Sequence, residues 1–193
     1  LDNYMGRNVY LPLWFLRGTE FAAMDRDYDP YDMQSLYKNI ENPLNKKDKV
    51  VYVGNNMTPL RKTFIELLMK NDIEVDVYGS QTGNPVKNKK NTMQEYRYSL
   101  CFENSYHPGY VTEKLLDGYC AGTIPIYWGG LTKTLFNQKK FIYYSSLAPM
   151  KETIDKLKIY KPSLSDGLLV KDRYDELRLS VIYTLTKILF DLF

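Results

Sequence analysis

Two cations stand where helices are expected to begin. Arg61 lies in NMTPLRKTF and Lys114 in GYVTEKLLD, and both runs turn apolar at helical spacing immediately afterwards. A helix start carries free N–H groups and a partial positive charge, so acidic residues are the usual occupants. A cation there needs a reason: a diphosphate gripped between Arg61 and Lys114 is one, and a solvated surface position for both is the other. Beside Lys114, the ionised carboxylate of Glu113 can accept two hydroxyl hydrogens from one ribose. Tyr110 adds a stacking face and Asn104 an amide. His107 sits before Pro108 in the same loop and reads as a surface residue rather than a catalyst.

Other chemistries find little support. Only two cysteines (Cys101 and Cys120) and one histidine occur in 193 residues. That is too few for a disulfide framework or a Cys- or His-rich metal site. Both cysteines read as reduced core residues, and the acidic run DRDYD reads as a polar loop. The net charge of +3 is too mild to demand nucleic acid, which takes a clustered basic stripe. Hydrophobic residues make up 44% and charged residues 25%, so the chain can bury a core and is not disordered as a whole. No run of about 18 apolar residues occurs to span a membrane.

The candidate residues need a frame, and the chain alternates strand and helix patterns from Lys49 on. VVYVG, IEVDVYG, Tyr98–Phe102, TIPIYWGG and KFIYY read as strands. Helices are expected from Thr58 and Pro59 to about Lys70, from Thr112 to about Ala121, as one or two turns over Leu131–Phe136, and over Met150–Ile159. A short helix also fits near Tyr31–Ile40, whereas SQTGNPVKNKKN reads as an exposed loop. Such alternation gives an α/β domain: a Rossmann-like parallel sheet with helices on both faces. Ligands of such sheets sit outside the carboxyl ends of the strands. The loops GNNMTPLR, GSQTGN and ENSYHPGYVTEK all fall there, and none is a GxGxxG or Walker loop. The domain reading is therefore residues 1–48 as a remnant of a preceding domain, 49–160 as the Rossmann-like domain, and 161–193 as a helical tail. The tail carries an apolar stripe through Leu177, Val181, Ile182, Leu185, Ile188, Leu189 and Leu192. That stripe suits packing back on the domain, or contact with a partner or a membrane surface.

The run YRYSLCFENSYHPGYVTEKLLDGYCAGTIPIYWGG closely resembles the signature of the α-1,3/4-fucosyltransferases, glycosyltransferase family 10. The pieces that carry the likeness are Phe102-Glu103-Asn104-Ser105, Tyr110-Val111-Thr112-Glu113-Lys114 and Ala121-Gly122-Thr123-Ile124-Pro125-Ile126. The wording TIPIYWGG is closer to bacterial or viral members than to animal ones. The resemblance implies a GT-B fold, of which this chain would be the C-terminal, donor-binding half. It implies an inverting transfer of L-fucose from GDP-fucose to a glycan hydroxyl, α-1,3 to N-acetylglucosamine or glucose. Arg61 and Lys114 would hold the diphosphate, Glu113 and Tyr110 the ribose and neighbouring groups, and Asn104 would line the pocket.

The family needs no cofactor and no metal. Its partners are GDP-fucose and a glycan acceptor, with no nucleic acid and with peripheral membrane contact open. Cytoplasmic or membrane-peripheral placement is expected of bacterial or viral members, Golgi placement of eukaryotic ones. The chain begins inside apolar sequence, VYLPLWFL, without an initiator Met. It therefore reads as cut from a longer protein. The family's catalytic base would lie in a missing N-terminal acceptor domain, so the catalytic residue stays unassigned. Two alternatives remain: a related enzyme using another GDP-sugar, and a truncated, non-catalytic nucleotide-binding module.

Overall fold

The computed structural model describes residues 36–37, 45–130, 135–161 and 166–190, without the side chains of residues 185, 188 and 189. Five parallel strands form one sheet: β1 (Lys47–Val53), β2 (Val75–Tyr78), β3 (Tyr96–Phe102), β4 (Ile124–Trp128) and β5 (Ile142–Tyr143). The helices are α1 (Pro59–Met69), α2 (Lys89–Gln94), α3 (Lys114–Cys120), α4 (Met150–Ile159) and α5 (Lys171–Phe190).

Successive strand residues point to opposite faces, and both faces here are apolar. Val50, Tyr52, Tyr98, Leu100, Phe102, Ile124 and Ile126 pack with Phe64, Ile65 and Leu68 of α1 and with Ile154 and Leu157 of α4. On the other face Val51, Tyr96, Cys101 and Tyr127 pack with Met93 of α2, with Leu115, Leu116 and Tyr119 of α3, and with Leu168 and Leu169. Tyr174 and Val181 of α5 join that second cluster, and Leu177 packs against it. Leu179, Ile182, Tyr183 and Phe190 of the same helix are exposed. No helix among the described residues is long and apolar enough to cross a membrane.

The strand order is β2-β1-β3-β4-β5. The connections out of β1 and β3 therefore leave in opposite directions across the sheet. The crevice between them is the topological switch point, where such sheets bind ligands.

All five expected strands form, though β5 is shorter than KFIYY and β3 begins two residues early, at Tyr96. α1 starts as its sequence demands. Thr58 is the N-cap, its hydroxyl accepts from the Arg61 N–H, and Pro59 holds the first turn. Two expectations fail. SQTGNPVKNKKN is not all loop: a 3₁₀ turn at Ser80–Thr82 leads to α2, capped by the Asn88 side chain. α2 buries only Met93, so no apolar stripe announces it. α3 begins at Lys114, two residues after the expected Thr112, whose N–H and hydroxyl both donate to Glu103. The expected turns at Leu131–Phe136 and Tyr31–Ile40 lie mostly outside the described residues. Of the first, Leu135 and Phe136 are buried.

Gly118 lets α3 lie directly on β3. A Cβ there would come within 2.6 Å of Ser99 Oγ and 2.7 Å of Cys101 Sγ. Gly→Ala usually stabilises a helix by about 1 kcal/mol. Here Gly118→Ala is expected to destabilise by about 1–3 kcal/mol through overpacking. Urea unfolding checks the sign, and a stabilised variant would contradict the close approach.

Candidate functional site

A cavity of about 260 Å³ opens at the switch point between β1 and β3. Its walls come from four segments. β1 and the loop after it give Tyr52, Val53, Gly54, Asn55 and Asn56, and α1 gives Arg61. α2 gives Lys89 and Met93, while β3, its following loop and the start of α3 give Leu100, Cys101, Phe102, Asn104, Glu113 and Lys114. Four of the five residues singled out from sequence, Arg61, Asn104, Glu113 and Lys114, thus line one cavity. The fifth, Tyr110, does not. Its N–H donates to the His107 carbonyl at 2.9 Å, and its half-buried ring meets His107 edge-on at 6.3 Å. The intervening Gly109 N–H donates to the Gly130 carbonyl at 2.7 Å, so this part of the loop is clasped against the end of β4.

Arg61 is a buried cation. It is only 2% exposed. Its guanidinium donates to the Asn56 and Phe102 carbonyls and, at 2.9 Å, to Asn104 Oδ1. It therefore ties the loop after β1 to the end of β3 and holds the crevice at a fixed width. Tyr52 Oη donates to the same Asn56 carbonyl at 2.7 Å. All three Arg61 acceptors are neutral, and Nε is buried without a partner. A buried cation held by neutral groups is costly unless an anion offsets it. Arg61 thus brings to this edge of the cavity a positive charge that none of its hydrogen-bond acceptors offsets.

Lys114 is placed differently. Its Nζ donates to Thr112 Oγ1 at 2.9 Å and lies 3.2 Å from Glu103 Oε2 and 3.3 Å from Glu113 Oε1. Behind it, the Glu103 carboxylate is 0% exposed. It accepts from the Thr112 N–H at 2.8 Å, the Thr112 hydroxyl at 2.6 Å and the Tyr127 hydroxyl at 3.2 Å. Glu103 thereby fixes the backbone that carries Glu113 and Lys114, which suits a carboxylate that orients the loop.

Lys89 was hidden in the stretch read as loop. α2 runs back from the carboxyl edge of the sheet, so its first residue reaches the cavity. Lys89 Nζ pairs with Asp117 Oδ2 at 2.6 Å. Burial pushes the Lys89 ammonium down, and the Asp117 carboxylate more than offsets this, so its pKa ends above the ordinary value. Among the described residues, no cluster of three His, Cys, Asp or Glu side chains is arranged to hold a metal ion.

Cys101 borders both cavity and core. Burial raises its thiol from 9.0 to about 11. A raised thiol contributes stability that is complete below pH 9 and fades as pH climbs through 11. The stability advantage of the wild type over Cys101→Ala should therefore shrink between pH 8 and pH 11. Thermal unfolding of both proteins across that range checks it, and a constant difference would refute it.

Residues 43–163 match the profile described as glycosyltransferase family 10 (fucosyltransferase), C-terminal part. The chain belongs to glycosyltransferase family 10. The likeness read from FENS, YVTEK and AGTIPI is borne out over the whole sheet. Curated relatives agree. An alpha-(1,3)-fucosyltransferase of Helicobacter pylori is 37% identical over 121 residues, covering 60% of this chain and 25% of the relative. A putative fucosyltransferase of Acanthamoeba polyphaga mimivirus is 27% identical over 152 residues, 72% of this chain and 22% of the relative. A bovine 4-galactosyl-N-acetylglucosaminide 3-alpha-L-fucosyltransferase is 37% identical over 89 residues, 44% of this chain and 24% of the relative.

The chain thus spans about a quarter of the length of these family members. In three dimensions it resembles a crystal structure of an alpha1,3-fucosyltransferase, with TM-score 0.64 and 28% identity, over 82% of this chain and 52% of that one. A structure of such an enzyme with GDP gives TM-score 0.62 and 26% identity, over 82% and 54%. The five-stranded unit is a Rossmann-like sheet that matches the C-terminal part of family 10 and resembles the GT-B fold of the solved structure.

Proposed function

We propose that this chain is the donor-binding part of a fucosyltransferase that moves L-fucose from GDP-fucose to a glycan hydroxyl. The observation that carries the reading is Arg61: a buried guanidinium bordering the switch-point cavity, held only by neutral acceptors. It supplies a fixed positive field for a diphosphate. Lys114 supplies a second charge, held beside Glu103 and Glu113; Glu113 supplies a carboxylate for ribose hydroxyls, and Asn104 an amide at the rim. Tyr110, outside the cavity, would meet the donor only by moving the clasped loop.

In this reading the acceptor hydroxyl attacks fucose C1 from the side opposite the diphosphate and inverts that centre. The acceptor is a 3-hydroxyl on N-acetylglucosamine or glucose. Arg61 and Lys114 stabilise the charge that builds on the departing GDP. A carboxylate takes the hydroxyl proton, and no residue described here is assigned to that task. The donor site works through side chains alone and requires no cofactor.

Calorimetric titration with GDP, GDP-fucose and GDP-mannose tests the reading. GDP and GDP-fucose should bind saturably. Lys114→Ala should weaken GDP by about 1.5–3 kcal/mol, the range for a hydrogen bond to a charged group. A folded chain that binds no GDP would overturn the proposal. Tighter binding of GDP-mannose than of GDP-fucose would move it to another GDP-sugar.

A further inference from the structure

We infer that Lys89 reads the nucleotide base and selects a 6-oxopurine, with Asp117 as its positioning residue. The inference rests on the donor-site reading above. If Arg61 and Lys114 face the diphosphate and Glu113 the ribose, the base must lie beyond Glu113, away from Arg61. Asp117 follows Glu113 by one helical turn, so the two carboxylates share a face of α3. Lys89 pairs with Asp117 at 2.6 Å and is within electrostatic reach of Glu113. The wall met next along the cavity is therefore α2, with Lys89 and Met93.

That wall has the chemistry of a base subsite. Met93, 3% exposed and packed in the core, gives this end of the cavity an apolar wall. An ammonium carries three N–H donors. Lys89 gives one to Asp117 and has no other hydrogen-bond acceptor among the described residues. Its remaining donors suit an edge that presents acceptors only. Guanine presents O6 and N7 at one edge, whereas adenine replaces O6 with an amino donor. Lys89 thus attracts the first edge and repels part of the second. The Asp117 pair neutralises the ammonium's charge, so Lys89 acts by donor geometry more than by adding to the field on the phosphates.

Titration of the chain with GDP, IDP and ADP tests this. IDP keeps O6 and N7 but lacks the 2-amino group. Wild type should bind GDP and IDP about tenfold more tightly than ADP. Lys89→Met, which keeps the apolar stem, should bring GDP and IDP to the level of ADP, whose own binding stays the same or tightens slightly. Retained ADP binding also shows that the variant is folded. Lys89→Arg should restore the preference. Equal losses for all three nucleotides would make Lys89 a phosphate-facing charge and overturn the inference while leaving the donor site intact. Unchanged GDP and IDP binding, or a loss for GDP but not for IDP, would overturn it too. If wild type binds none of the three, the donor-site reading itself falls.

Discussion

Arg61→Ala is expected to remove GDP binding at millimolar nucleotide and to cost about 2–4 kcal/mol of stability. The two losses have different causes. Alanine leaves the Phe102 carbonyl and Asn104 Oδ1 without the Arg61 donor, while the Asn56 carbonyl keeps the Tyr52 hydroxyl. The orphaned, buried Phe102 carbonyl costs about 1–3 kcal/mol and the exposed Asn104 less, partly offset because an uncompensated buried charge is also removed. Binding suffers twice, through the lost field and through a crevice no longer tied across the switch point. Arg61→Met separates the effects. It keeps much of the side-chain packing, so stability should recover in part while GDP binding does not. Urea unfolding beside calorimetry reads both quantities. GDP affinity in Arg61→Met equal to wild type would show that the guanidinium has no part in nucleotide binding.

The second large effect is expected at Glu103, outside the cavity. Glu103→Ala should lose about 3–5 kcal/mol, the cost of breaking a buried, hydrogen-bonded charge pair. The Thr112 N–H and hydroxyl, the Tyr127 hydroxyl and Lys114 would all lose one acceptor. Glu103→Gln keeps the shape but presents an amide donor to groups that are themselves donors, so it should recover only part of the loss. A double-mutant cycle of Glu103→Gln with Thr112→Val should give a coupling of about 1.5 kcal/mol or more, as expected of a hydrogen bond to a charged group. Additivity within about 0.5 kcal/mol would mean that Glu103 does not hold the loop.

Much of the frame was legible from residue order. Short apolar runs ended by glycine, alternating with amphipathic stretches, leave few options besides a parallel sheet covered on both faces. Thr58 and Pro59 set the start of α1 by local chemistry alone. α2 was not legible, because a six-residue polar helix anchored by Met93 has no periodicity to detect. Lys89 was lost with it. The start of α3 fell two residues after Thr112, a good cap by type, whose hydroxyl donates to Glu103 nine residues earlier and accepts from the Lys114 ammonium. Pairing across such a loop leaves no local sign.

Residue type and spacing by themselves determined the sheet, the edge on which a ligand must lie, and the cations and carboxylate that reach that edge. These follow from strand period, helix caps and the handedness of parallel connections, all properties of neighbouring residues. Tertiary structure decided what each of those groups does. It buried Arg61 as a tie between two loops, kept Lys114 beside two carboxylates, and drew Tyr110 away with His107. It also brought Lys89 to the cavity against Asp117. Burial and pairing depend on what the rest of the chain places around a side chain. A charge 2% exposed and a charge in water have the same letter in the sequence and different chemistry in the fold.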